Sequence, residues 1–274
     1  MSRRLKAFCA SVVLVGVVAS GVWWLTSTPE AVQNEAALPV PPFPPRITEG
    51  STYEACLATL ASDPASAVSI AEAWQAGGGG DGALHCRGLA LIAVGKPADG
   101  AALLEQLARQ GSAPVMGRAL VLGQAVQARL MVAQADKAAA DATDALALTP
   151  DDTELIIMRA AAEGMMERYA GAVDDLSHAL RLDAARPDAL VARAVMRRRM
   201  NQLDLAQTDV SRALTLDPND ADALLERGIL RQRMGDTEGA RADWERAKGV
   251  DPNSTTADLA AQNLALLEAG PRER

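Results

Sequence analysis

Three consecutive blocks of 34 residues, together spanning residues 153–254, carry the same small, apolar and turn residues at the same offsets. Ala172, Ala206 and Ala240 recur at that period, as do Ala179, Ala213 and Ala247, while Pro218 and Pro252 close two successive blocks. A fixed period of this length restricts the chain to a row of supersecondary units, each burying its apolar face against the next. Residues 119–152 are in phase as a fourth, alanine-rich block, since Ala138, Ala145 and Pro150 fall 34 residues before Ala172, Ala179 and Ala184.

Inside a block the pattern predicts two amphipathic helices. In the last block these run over about 221–234 and 237–250 and meet at Gly235-Asp236. Gly228, Ala240 and Ala247 are small where the helices would cross, Trp244 is expected to fill the space between hairpins, and Asp251-Pro252-Asn253 ends one helix and caps the next. With Leu224, these residues resemble the tetratricopeptide repeat (TPR). The resemblance implies an all-α fold, a TPR superhelix of helix-turn-helix repeats, and a role in protein contacts. The repeats would be 119–152, 153–186, 187–220 and 221–254, followed by a capping helix and tail over 255–274 in which Leu259, Leu264, Ala265 and Leu267 cover the open end.

Composition agrees: 49% of residues are hydrophobic but only 3% aromatic, the balance being helix-forming Ala, Leu and Val. A net charge of −8 argues against a nucleic-acid partner, because phosphate binding needs a basic face. Arg197, Arg198 and Arg199 form a short basic run that reads as a solvated helix face.

Residues 1–6 form a basic tip, with Arg3, Arg4 and Lys6, ahead of an uncharged apolar run over residues 7–25. Nineteen helical residues just span a bilayer core, so this run is expected to be a transmembrane anchor. The basic flank puts the N-terminus in the cytoplasm and the remainder in the periplasm of a bacterial inner membrane. A signal peptide cleaved after Val18-Ala19-Ser20 is the competing reading. Cys9 lacks the residues that precede a lipoprotein cysteine. Residues 26–50 hold Leu38-Pro39-Val40-Pro41-Pro42-Phe43-Pro44-Pro45, an extended linker. Residues 51–118 read as two degenerate hairpins, with helices over about 53–60, 63–76, 83–94 and 99–109 and a glycine-rich loop over 77–82.

Arg159, Arg193 and Arg227 recur at the period, and so do Asp175, Asp209 and Asp243. A ligand clamp would need such a set, but TPRs often pair these positions across the hairpin, and structural pairs are the better reading. Met166, Met200 and Met234 mark a hairpin-packing position. His178 belongs to a solvated face and His85 stands alone beside Cys86; neither has the spacing of a zinc site or a triad. Cys56 and Cys86 lie on the first helices of neighbouring hairpins, on the expected far side of the membrane where disulfides persist, so a disulfide stapling this end is expected, the alternative being two buried thiols.

In a TPR stack the first helices line the concave face. The positions that point into it would be Ile157, Ala161, Val191, Val195, Leu225 and Ile229, with Arg198, Arg199 and Arg233 along one edge. The Asn and Lys of TPRs that grip a C-terminal carboxylate are absent. An apolar floor with a basic edge suits a peptide or helix with aliphatic anchors and some acidic residues, unless neighbouring repeats cover it.

No phosphate loop, metal constellation or nucleophile elbow is present in the sequence, so no catalytic residue, cofactor, metal or small-molecule substrate is expected. With Arg274 following directly on the expected capping helix, no catalytic domain is expected. The expected function is a non-enzymatic, membrane-tethered scaffold for a protein partner. Alternatives are a TPR subunit of cytochrome c maturation that holds apocytochrome, and the regulatory domain of an envelope enzyme.

Overall fold

The computed structural model describes residues 47–269. The basic tip, the apolar run 7–25, the linker up to residue 46 and the tail from residue 270 lie outside the described residues. Among those described there are thirteen helices and no strand, so the fold is all-α. No helix among them is long and apolar enough to cross a membrane. The chain divides into two compact units, residues 1–162 and 163–274, with the division inside the seventh helix.

The first unit contains α1 (Ser51–Ser62), α2 (Pro64–Ala76), α3 (Gly80–Ala93), α4 (Pro97–Gln110), α5 (Val115–Met131), α6 (Ala135–Leu148) and most of α7 (Thr153–Met165). Each helix from α1 to α5 packs on the next, and α1 also packs on α3. Asp63 caps α2 by accepting from the Ser66 backbone N–H, with Pro64 at the first helical position, where its missing N–H costs nothing.

The expected loop over 77–82 is shorter than its glycine content suggests, because α3 already begins at Gly80. The glycines serve close approach. A methyl on Gly79 would fall 2.5 Å from the Trp74 ring, and one on Gly82 would fall 2.6 Å from it. α3 and α4 meet the same way: a methyl on Gly100 would lie 2.5 Å from the Gly88 carbonyl oxygen. α5 starts at Val115, four residues ahead of the repeat's expected start, and packs Val126 against Ala138 and Ala142 of α6 and Ala162 of α7.

The second unit holds α8 (Tyr169–Leu182), α9 (Pro187–Arg199), α10 (Leu203–Leu216), α11 (Ala221–Arg233), α12 (Thr237–Val250) and α13 (Thr255–Ala269). The alanines that recur at the 34-residue period, Ala172, Ala179, Ala206, Ala213, Ala240 and Ala247, are all fully buried. Trp244 is also fully buried, but within a hairpin: it lies on Gly228, and its indole N–H donates to the Leu225 carbonyl at 3.2 Å. That corrects the expectation that it fills the space between hairpins; the gap left by Gly228 at the α11–α12 crossing is where a large ring fits.

Each tight turn inside a repeat uses the same device. Ala133, Glu167, Asn201 and Gly235 occupy the left-handed region, with φ of 56°, 60°, 60° and 90°. The next residue's N–H reaches back to a carbonyl five residues earlier, as in Gln202 to Arg197 at 2.8 Å and Asp236 to Arg231 at 2.8 Å. This is the Schellman ending, which satisfies carbonyls that the helix leaves open. Met200 and Met234 sit at these helix ends and are 38% and 52% exposed, so they do not pack the hairpin as expected.

Candidate protein-interaction surface

In the second unit the first helices of successive repeats lie side by side, α9 on α11 and α11 on α13. Val191 is buried on this face, while Val195, Leu225 and Ile229 are half-buried and still reachable. α13 extends the row with Leu259 and Leu266, which are 43% and 66% exposed. α13 packs through Ala257 and Ala260; of the residues expected to cover the open end, Leu264 and Leu267 are half-buried and Leu259 and Ala265 are exposed. Ile157 and Ala161 lie on α7 within the first unit, the former buried and the latter exposed.

Behind the face, arginines on the first helices clamp aspartates on the second. Arg193 donates through Nε and Nη2 to both oxygens of Asp209 at 2.9 and 2.7 Å, and Arg197 adds a third bond at 2.6 Å. Arg227 and Arg231 treat Asp243 alike, at 2.8, 2.6 and 2.7 Å. Both aspartates are buried. Planar guanidinium forks hold a carboxylate from two sides, which fixes the register of α9 on α10 and of α11 on α12. Arg159 and Asp175 occupy the same register positions one block earlier.

The basic run 197–199 is not a solvated face throughout. Arg197 belongs to the Asp209 clamp, and Arg198 donates through Nε to Glu226 of α11, leaving these arginine side chains 16% and 14% exposed. Arg199 remains exposed. Glu226 is itself buried, and burial pushes its carboxyl above the usual range against the opposing pull of Arg198, Arg199 and Arg233. Arg233 donates to the Arg198 carbonyl and to Asn201 Oδ1 at 3.2 and 3.3 Å.

In the first unit Cys56 and Cys86 form a disulfide that ties α1 to α3, with Cα atoms 6.3 Å apart. His85 is not alone, as its sequence neighbourhood suggested. It is fully buried, with Nδ1 2.6 Å from the Tyr53 hydroxyl and Nε2 2.7 Å from Gln124 Oε1. The Gln124 carbonyl oxygen only accepts, so Nε2 carries the proton and Nδ1 accepts from Tyr53. Burial holds His85 down at about 4, partly offset by the bond to Gln124.

Sequence reasoning passed over several members of these networks, although the period contained them. Arg197 and Arg231 are 34 residues apart, and Asp141 stands 34 before Asp175. Asp141 receives the buried Arg129, which also reaches Glu105; burial raises Asp141 to about 6 against the pull of Arg129. Arg212 and Arg246, also one period apart, donate to the carbonyls of Ala184 and Pro218 at 2.7 Å each, tying an outer helix to the preceding loop. Glu226 left no periodic signal, because the equivalent positions are Ala192 and Ala260. Among the described residues no three His, Cys, Asp or Glu side chains are grouped to hold a metal ion.

Residues 198–265 match the family model described as tetratricopeptide repeat. Among solved structures, the chain is similar to TTC0263, a thermophilic TPR protein of Thermus thermophilus, at 17% identity over 69% of this chain and 99% of that one, with a TM-score of 0.55. It is also similar to MamA (residues 41 to the end) of Desulfovibrio magneticus RS-1, at 16% identity over 63% and 95% of the two chains and a TM-score of 0.55. A further crystal structure of MamA gives 15% identity, coverage of 60% and 94%, and a TM-score of 0.52. At such identities the likeness is one of fold. No curated protein matches the sequence.

Proposed function

We propose that this chain, whose residues 198–265 match the tetratricopeptide repeat model, is a non-enzymatic scaffold that holds a segment of a partner protein against the face of α9 and α11. The observation that carries the reading is that Val195, Leu225 and Ile229 stay half-buried on one face while their helices are locked from behind by the two arginine–aspartate clamps. A rigid row of helices with reachable aliphatic side chains meets a peptide or helix at little cost in ordering. Photo-crosslinking in cells from positions 195 and 229 tests it: capture of a defined protein is expected, and capture only from the outer helices α10 and α12 would move the binding surface elsewhere.

The scaffold is further proposed to act outside the bacterial inner membrane, anchored through residues 7–25 and spaced by the Pro-rich linker. The apolar run with its basic flank supports this, as does the Cys56–Cys86 disulfide, because such bonds persist in oxidising compartments. Retention of the protein in membranes after alkaline extraction, with an N-terminus near Met1, is the expected result. A soluble product beginning near Gly21 would assign the run to a cleaved signal peptide instead.

A further inference from the structure

Glu226 is the odd residue on the α9–α11 face. The two clamps behind that face lie within hairpins, whereas the Arg198–Glu226 pair joins α9 to α11 across it. The repeat does not require an acid there, since its register mates Ala192 and Ala260 are small and apolar. Taking a carboxylate out of water is unfavourable unless cations offset it, and here three gather around one acid: Arg198 by direct contact, Arg199 and Arg233 by their charge.

Three guanidiniums around one carboxylate leave two positive charges in surplus, on a chain whose net charge is −8. Arg233 directs its bonds to neutral oxygens, the Arg198 carbonyl and the Asn201 side chain. Arg199 is exposed and makes no hydrogen bond or ion pair with any described residue. Arginine forks with capacity left, beside Val195, Leu225 and Ile229, match a segment that alternates carboxylates with aliphatic side chains.

We propose that Arg198, Arg199 and Arg233 form a carboxylate-binding patch in which Glu226 holds one carboxylate place from within, so that the partner segment is acidic as well as aliphatic and binds in competition with Glu226. The proposal rests on the α9–α11 face being the binding surface. Glu226 then serves two ends: it keeps Arg198 extended and oriented in the unliganded protein, and it sets a threshold that only a segment with several carboxylates passes. A neutral aliphatic segment gains the floor without the arginines.

The test is calorimetric titration of the full-length protein, in detergent, with a 16-residue amphipathic peptide of Leu and Glu and with its Gln-for-Glu counterpart. The acidic peptide is expected to bind about ten-fold more tightly than the neutral one, as for one or two charge-assisted hydrogen bonds. Glu226→Gln should strengthen binding of the acidic peptide about ten-fold by releasing Arg198. Arg199→Glu, at an exposed position that leaves the fold intact, should abolish the preference. Equal affinity for the two peptides, no binding of either, or a preference indifferent to both variants overturns the proposal. Should Glu226→Gln fail to fold by circular dichroism, Arg199→Glu and Arg233→Glu decide it. If crosslinking from positions 195 and 229 captures a partner while these titrations fail, the acidic-segment reading falls and the scaffold reading stands.

Discussion

The indole of Trp244 lies so close over Gly228 that a methyl on that glycine would fall 2.4 Å from the ring nitrogen. Alanine would raise helix propensity by about 1 kcal/mol. The ring is fully buried and cannot step aside, so overpacking by about 1–3 kcal/mol outweighs that gain. Gly228→Ala is therefore expected to lower stability in urea denaturation, and Trp244→Phe in the same chain to restore part of the loss. An alanine variant more stable than the parent would refute the close-packing account.

Asp209 should be costlier to lose than Asp243. Both are buried and clamped by two arginines, but Arg193 and Arg197 are 14% and 16% exposed whereas Arg231 at the second clamp is 32% exposed. Removing a carboxylate strands its cations, and buried cations suffer more, at about 3–5 kcal/mol against less where water can replace the partner. Thermal melts of Asp209→Ala and Asp243→Ala should rank in that order; equal small losses would show the clamps to be incidental.

The turn residues offer a stabilising change. Ala133 holds a φ of 56°, where a side chain is strained and glycine is not. Ala133→Gly is expected to add about 0.5–1 kcal/mol after the entropic cost of glycine in the unfolded chain. Gly235→Ala, at φ 90°, should lose about as much or more. Denaturant midpoints of the two variants check both signs.

Acid should weaken the first unit through His85. Its folded-state value of about 4 lies below the ordinary 6.5, so the unfolded chain takes up the proton first as pH falls. The contribution is complete above about pH 6.5 and is lost progressively down to about pH 4, amounting to roughly 3 kcal/mol. Asp141, raised to about 6 in the same unit, acts in the opposite sense between about pH 6 and 4, so the check is a comparison: the parent should lose stability relative to His85→Gln as pH falls from about 6.5 to 4. An unchanged slope in the variant would place the proton uptake elsewhere.

The disulfide closes a span of 30 residues, so in the chain-entropy account it is worth about 3–4 kcal/mol. Both cysteines are buried. Replacing Cys56 and Cys86 by Ala is expected to lower the melting temperature of the first unit and to expose α1 and α2 to protease first, because α1 packs chiefly on α2 and α3. Proteolysis that begins elsewhere would argue that the staple is dispensable for this end.

The period of 34 residues by itself determined the helices, their pairing into hairpins and the alanines at the crossings, because those features repeat and a repeat multiplies a weak signal. The Arg193–Asp209 and Arg227–Asp243 clamps were legible for the same reason. Whether Cys56 and Cys86 met, what His85 touched, and which arginines of 197–199 were engaged internally could only be decided in three dimensions. Those partners lie on different helices and, apart from Arg197 with Asp209, at offsets outside the period. Helical periodicity says which face a residue occupies, whereas its partner depends on the angle and depth at which the next helix packs, and that is set by the summed shapes of all the side chains between them.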